Sequence, residues 1–442
     1  MEAPTIQTRR TPLGEQVVQW FGDVAAGSLA QHPTATRRWL QTGYELMRAK
    51  VHVAPDPRLS RSGQVSYQLF MDSIVSALAH PQRSVLTSIF TPPEPFQAMG
   101  VLPMCAEAMA SFLSGAKAEP AFIDRCEACG LPETYCSYHK ALMGMAASGV
   151  LEPRPMVACT SVACDANNLS FKTLARQWGV PHAYVDVPYE VDEDSIRYVA
   201  GQLREMVAMA QDCYHATLDE EDLRRRVALT LATDALLERT LPGRASRYRS
   251  IDMTVDMMQM LDFHLSAGTR RAWELAGLVR DDQAAAKPYQ GVSLVWAHVS
   301  PFFLEGVGQR INFSQEAQIV ATDMGFDHLV PPGGLIFGAD QPYEAMAERV
   351  VRNCYNGPVT RRAETLVQLA QRTGAQGAVV FCHWGCKETA GGAQLLREAL
   401  EEAGFPALVL DGDALDRRNC MPGQLETRLA AFLEMLRARK EA

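Results

Sequence analysis

Several things are missing from this 442-residue chain, and each absence excludes something. No stretch approaches the eighteen or more apolar residues that a membrane-crossing helix needs. No apolar run follows Met1-Glu2-Ala3-Pro4-Thr5, so a secretory signal is not expected and the Arg9-Arg10 pair reads as incidental. Basic residues are not in excess. With 42 of them against 51 acidic residues the net charge is −9, which argues against a general nucleic-acid-embracing field and leaves only a local patch open. The Gly-x4-Gly-Lys-Ser/Thr phosphate loop is absent, so the chain offers no phosphate-binding loop of that kind. No long segment is biased enough to suggest disorder.

What the chain does carry is cysteine, 11 residues in all. A long chain without an export signal is not a disulfide framework, so a cytoplasmic protein with mostly reduced thiols is expected. The length also calls for more than one core.

Residues 13 to about 80 show helical spacing (Trp20, Phe21, Val24 and Leu29, then Trp39, Leu40, Tyr44 and Met47) punctuated by Pro33, Pro55 and Pro57. From Ser84 onward, short β-prone runs alternate with helical stretches. The runs are Val85–Phe90, Met156–Cys159, Ala183–Val187, Ser293–Ala297, Ala317–Val320, Gly377–Cys382 and Ala407–Leu410. That alternation predicts an α/β protein built on parallel sheets flanked by helices. The expected plan is an N-terminal helical arm (1–82), a first α/β domain with a helical extension from 189 to about 280 (83–280), and a second, similar α/β domain ending in a helix over Gln424–Lys440 (281–442).

One internal echo supports two similar domains. Val157-Ala158-Cys159 leads to a loop with Cys164-Asp165, a helix through Trp178, Gly179-Val180-Pro181 and a strand ending at Asp186. Val379-Val380-Phe381-Cys382 leads likewise to Cys386-Lys387, a helix through Ala403, Gly404-Phe405-Pro406 and a strand ending at Asp411. Each copy offers a cysteine at the carboxyl end of a strand, where open α/β sheets bind ligands.

Cys126-x2-Cys129 followed by Cys136 suggests a zinc run, but a ribbon needs a second close pair and only His139 is near; a loop in which one cysteine matters is the plainer reading. An iron–sulfur cluster can draw thiolates from distant loops. Cys136, before a helix over Ser137–Ala147, and Cys164 and Cys386, at matching places in the echo, suit that arrangement. Three thiolates on four irons would leave one iron open for substrate or water.

The segments Cys136-Ser137-Tyr138-His139-Lys140-Ala141-Leu142-Met143-Gly144, Cys164-Asp165 and His383-Trp384-Gly385-Cys386-Lys387 resemble the cysteine motifs of the 2-hydroxyacyl-CoA dehydratase and benzoyl-CoA reductase family. Tyr184–Pro188, Pro406–Asp413 and the closing Gln424–Glu434 match it too, in the right order over residues 84–440. The resemblance implies a catalytic subunit of two α/β domains, with a [4Fe–4S] cluster held by Cys136, Cys164 and Cys386 in the cleft between them. It implies pairing with a related second subunit, or a homodimer, and an ATP-hydrolysing iron–sulfur activator that delivers one low-potential electron. That electron turns an acyl-CoA thioester carbonyl into a ketyl radical anion, so that water is eliminated or, in the reductases, an aryl ring is reduced. A water-poor cleft would be needed to protect a radical.

Other readings stay open beside this one. Cys159 and Cys382 either pack at strand ends or replace the proposed ligands. Cys126, Cys129 and Cys354 keep alive the double-cubane [8Fe–9S] reductases of the same superfamily, though no complete six-cysteine set is present. A cluster-free binding or assembly protein on the same scaffold is the third reading. His383 and Lys387 are donors to a thioester or to cluster sulfides, or structural. Met253, Met257, Met258 and Met260 read as packing, Gly306-x-Gly308 and Pro331-Pro332-Gly333-Gly334 as no phosphate site, and Asp219–Asp222 as a solvated helix start. No CoA motif and no catalytic base can be named from sequence.

Overall fold

The computed structural model describes residues 13–29 and 31–441. The Arg9-Arg10 pair and the first twelve residues of the N-terminal arm lie outside them. Strands β1 (Ser84–Thr87), β2 (Leu102–Cys105), β3 (Val157–Thr160) and β4 (His182–Val185) form one parallel sheet in the order β2-β1-β3-β4. Strands β5 (Val292–Ala297), β6 (Ala317–Thr322), β7 (Gly377–His383) and β8 (Ala407–Gly412) form a second in the order β6-β5-β7-β8. Both are parallel throughout.

Seven of these strands fall where the apolar runs place them; β2 was not expected. Pro103 lies within it, and a proline cannot donate to a ladder, so the segment reads as a break. It is tolerated because β2 is an edge strand. β1, β3, β5 and β7 are buried along their whole length, which is why they read as continuous apolar runs instead of alternating ones.

The internal echo therefore extends further than two strands. Each sheet runs second-first-third-fourth, so each reverses direction between its first and third strands, at β1/β3 and β5/β7. Outside the carboxyl ends at such reversal points, connecting loops part and leave a crevice. The helix Asp165–Trp178 ends at Gly179, whose left-handed backbone (φ 66°) closes it as the Gly-x-Pro signal predicts.

The N-terminal arm is helical, with helices Leu13–Ser28, Pro33–Val53 and Arg61–Ala79. Its third helix packs on β2 and on helix Met253–Leu265, and Ser66 Oγ donates to buried Asp262 at 2.6 Å. Met253, Met257 and Met260 are buried, as packing requires, and Asp219 caps the helix Glu220–Glu238 by accepting from Glu221 and Asp222 N–H. The C-terminal helix Pro422–Glu441 lies on β8 and β5. One apolar core runs through both halves, joining Leu86 and Val157 to Leu294 and Phe381. Among the described residues no helix is long and apolar enough to cross a membrane.

Candidate functional site

Cys136, Cys164 and Cys386 occupy the same structural position three times over. Each is the residue that starts a helix: Ser137–Ala147, Asp165–Trp178 and Lys387–Glu402 respectively. None of the three accepts a capping bond from its helix, so the sulfurs stay available. A helix N-terminus carries partial positive charge and free N–H groups, which favours an anion such as a thiolate or a negatively charged cluster. Cys164 follows β3 and Cys386 follows β7, beside the two reversal points.

Three contacts hold these loops together, the last two of them across the two halves. Tyr135 Oη reaches helix Asp165–Trp178, donating to Ala166 O at 2.7 Å with Ser170 Oγ at 3.0 Å. Ser137 Oγ donates to Asp413 Oδ1 at 2.8 Å, beyond β8. Gly385, with φ 80°, lies against the Tyr135–Cys136 peptide so closely that an added Cβ would meet Cys136 N and Tyr135 O at 2.8 Å. The glycine of His383-Trp384-Gly385-Cys386 is thus required by close backbone approach as well as by its dihedral.

Two histidines aim at the sulfurs. Ala414 N–H donates to His383 Nδ1 at 3.1 Å, so the ring proton sits on Nε2. That Nε2–H faces Cys136 Sγ at 3.5 Å and Ser137 Oγ at 3.4 Å. His298, held in a left-handed conformation (φ 73°) just after β5, presents Nε2 to Cys386 Sγ at 3.6 Å and leaves a buried Nδ1 without a partner among the described residues. Its backbone N–H donates to Asp323 Oδ1 at 2.7 Å. Fully buried Arg362 donates to Asp323 Oδ2 at 2.8 Å and to Thr389 Oγ1 at 3.0 Å, and its Nη2 has no partner among the described residues.

Electrostatics show that the three thiols sense one another. Burial, then the charges of Cys386 and Cys164, push the Cys136 thiol well above its usual range. Burial and Cys386 raise Cys164 to about 12, and burial raises Cys386. Burial also keeps both histidines neutral: His298 is driven well below its ordinary value and His383 is lowered. Without a counter-cation these cysteines stay protonated; a bound metal would displace the protons.

The remaining cysteines face elsewhere. Cys159 Sγ, within β3, meets His182 Nε2 on β4 at 3.3 Å. Cys382, within β7, has Asp411 of β8 as its neighbour. Cys354 is buried with Sγ toward Asp323 O at 3.8 Å. Cys126 is buried in helix Glu119–Glu127 and Cys129 is exposed beyond it. Among the described residues no three His, Cys, Asp or Glu side chains stand close enough to hold a single metal ion, so the zinc run is not assembled. A cluster imposes a wider spacing, because each thiolate binds a separate iron. Three helix-start thiols, neutral N–H donors and a buried guanidinium with a spare N–H suit such an anionic group. Lys140, inside the first motif, instead pairs with Glu127 at 2.6 Å. His298 and Arg362 escaped the sequence reading; the one available signal was that His298 follows β5 as a polar residue at a strand's carboxyl end.

Two matching parallel sheets, with three cysteines at helix starts that neighbour one another, define a class of α/β proteins. Within that class, the profile of the 2-hydroxyglutaryl-CoA dehydratase D-component matches residues 88–436, and the chain belongs to that family. It is 21% identical over 341 residues to the alpha chain of (R)-phenyllactyl-CoA dehydratase from Clostridium sporogenes, covering 72% of this chain and 81% of that protein. The alpha chain of lactoyl-CoA dehydratase from Anaerotignum propionicum is 21% identical over 395 residues (79% and 90% covered). One of the subunits of benzoyl-CoA reductase from Thauera aromatica is 22% identical over 348 residues (70% and 78%).

Proposed function

We propose that this chain is the catalytic subunit of a cytoplasmic iron–sulfur enzyme acting on acyl-CoA thioesters, with Cys136, Cys164 and Cys386 as ligands of a [4Fe–4S] cluster. The observation that carries the reading is the gathering of three thiols, Cys136 buried and Cys164 and Cys386 half-buried, each at a helix start and beside histidine and arginine side chains. When bound, the cluster would supply a single low-potential electron to the thioester carbonyl, and three thiolates would leave one iron free of protein ligands. The chain's own residues do the rest. His383 directs its Nε2–H at Cys136, His298 presents Nε2 to Cys386, Arg362 lends positive charge near Cys386, and burial excludes water from a reactive intermediate.

The relatives are themselves named as single subunits of larger enzymes, which supports a related second subunit. The missing phosphate loop supports a separate ATP-dependent activator. Dehydration and ring reduction are both represented among the relatives, and the product formed separates them.

Anaerobic purification with iron and sulfide analysis tests the reading. About four irons and four sulfides per chain are expected, lost in Cys136→Ala, Cys164→Ala or Cys386→Ala, with conversion of an acyl-CoA once an activator is supplied. About eight irons would replace it by the double-cubane reading, and zinc without sulfide would overturn both.

A further inference from the structure

Two thiols outside the site stand together at the end of one helix. Helix Glu119–Glu127 finishes in a tightened turn, where Cys129 N–H donates to Cys126 O at 3.0 Å and Gly130 N–H to Glu127 O at 2.8 Å. Bonds of this i→i+3 kind wind the chain to three residues per turn, so side chains i and i+3 share one side, about 6 Å apart at ~2 Å of rise per residue. A disulfide joins residues whose Cα atoms are about 4.4–6.8 Å apart. Cys126 and Cys129 therefore have the backbone spacing of a pair that can close.

Their surroundings differ. Cys126 is buried beneath the helix end, whereas Cys129 is open to solvent. Burial, then the charge of Cys129, push the Cys126 thiol up to about 12, with Lys140 working against them. Cys126 thus keeps its proton until something alters Cys129. An exposed thiol that attacks and a buried one that resolves are the two parts that thiol–disulfide exchange needs.

The turn is also tied to the first cysteine of the site. Buried Lys140 donates to Glu127 Oε1 at 2.6 Å and to Glu133 O at 2.8 Å, so it clasps both ends of segment 127–133. Tyr135, anchored to Ala166 O and Ser170 Oγ, follows two residues later, and Cys136 comes directly after it. Glu127 adjoins Cys126 in the turn. Drawing the two Cβ atoms to the ~3.8 Å of a disulfide would shift the carboxylate that Lys140 holds.

We propose that Cys126 and Cys129 form a thiol–disulfide exchange site for a low-molecular-weight disulfide such as glutathione disulfide, and that its closure loosens the Lys140 clasp on the segment leading to Cys136. Cys129, as thiolate, attacks one sulfur of the disulfide and expels one glutathione thiolate, which takes up a proton. Cys126 gives its proton to water and attacks Cys129 Sγ in the mixed disulfide, expelling the second glutathione. The two cysteine thiols lose two electrons and two protons, and glutathione disulfide gains them as two thiols. The exchange stands apart from the cluster reading; only its effect on Cys136 rests on that reading.

Mass spectrometry of the anaerobically purified full chain, after treatment with glutathione disulfide, tests it. Trypsin cuts after Arg125 and Lys140, so one peptide, residues 126–140, carries both thiols and Cys136. Expected is a loss of two hydrogens, with fragment ions placing the bond between Cys126 and Cys129, unchanged in Cys136→Ala and reversed by dithiothreitol. Cys126→Ser should stop at one glutathione on Cys129, and Cys129→Ser should leave this peptide unmodified. A wild type that keeps the mixed disulfide, or a bond drawn to Cys136, overturns the pair; glutathione on Cys126 in Cys129→Ser overturns the order of attack. Zinc held by the reduced pair overturns the exchange site. Iron release to a chelator should be about tenfold faster in the oxidised chain and unchanged in treated Cys129→Ser. An oxidised chain that keeps its iron as well as the reduced one overturns the link to Cys136. A chain purified without iron or sulfide overturns the cluster reading, while the mass change still decides the exchange site.

Discussion

The two sheets share one strand order, yet their loops differ in chemistry. Around Cys164, in the first half, stand Tyr135 and Glu107, and Asn167 gives its Nδ2 to Thr160 O. Around Cys386, in the second, lie His298, Thr389 and Arg362, with His383 reaching across to Cys136. The same contrast marks the strand cysteines: Cys159 meets a histidine of β4, Cys382 an aspartate of β8. Topology supplies the positions twice, while the histidines and the arginine beside the three helix-start sulfurs come from the second half. One half places a ligand; the other also tunes it.

The comparison can be broken most forcefully at the cysteines. Cys164→Ser and Cys386→Ser are expected to remove nearly all bound iron and sulfide alike, whereas Cys159→Ala and Cys382→Ala keep most of it. Iron analysis and visible absorption decide this, and retention in either ligand variant would remove the equivalence of the halves.

Arg154 in the first half and Arg362 in the second are both fully buried, with different partners. Arg362 is paired with Asp323, so Arg362→Met strands a buried carboxylate and should cost about 3–5 kcal/mol in urea unfolding. Arg154 donates to Ser84 Oγ, Ala77 O and Glu152 O, all neutral, so Arg154→Met should cost about 1–3 kcal/mol. Equal losses would contradict the assignment of charge to the second half.

The left-handed glycines differ in the same way. Gly385→Ala meets the Tyr135–Cys136 peptide and should cost about 1–3 kcal/mol together with weaker iron retention. Gly179→Ala faces open space and should cost about 1 kcal/mol, with iron unaffected.

The smallest effect is one of pH, and its sign differs between the halves. Burial and Arg349 work to lower the His328 pKa, but Asp327 and Asp234 outweigh them and raise it to about 9. Its contribution is complete below the unfolded value, about 6.5, and is lost as pH rises to about 9. His182 is lowered by burial and nearby Lys172, so its contribution holds above about 6.5 and fades on acidification. Melting temperatures against pH should lose a few degrees of alkaline slope in His328→Asn and some acid slope in His182→Asn.

Much of this architecture was legible. Buried parallel strands announce themselves as apolar runs, and the Gly-x-Pro stops made the repeat readable at Cys164 and Cys386. β2 was not, because Pro103 imitates a break and only an edge position excuses it. At the site, the helix starts at Cys136, Cys164 and Cys386 could be inferred from local pattern. His298 and Arg362 could not: their roles depend on β5 and the helix Val359–Thr373 meeting Asp323, a contact among segments distant in sequence.

The contact of Gly385 with the Tyr135–Cys136 peptide has a dynamic consequence. Side chains that separate two loops can rotate and let the gap drift; two peptide planes in contact cannot. The close approach of Gly385 to the Tyr135–Cys136 peptide therefore lets main chain limit the spacing between Cys136 and Cys386. For the proposed one-electron chemistry, such a frame would change shape little between oxidised and reduced forms, so reorganisation would take a small share of the barrier to electron transfer.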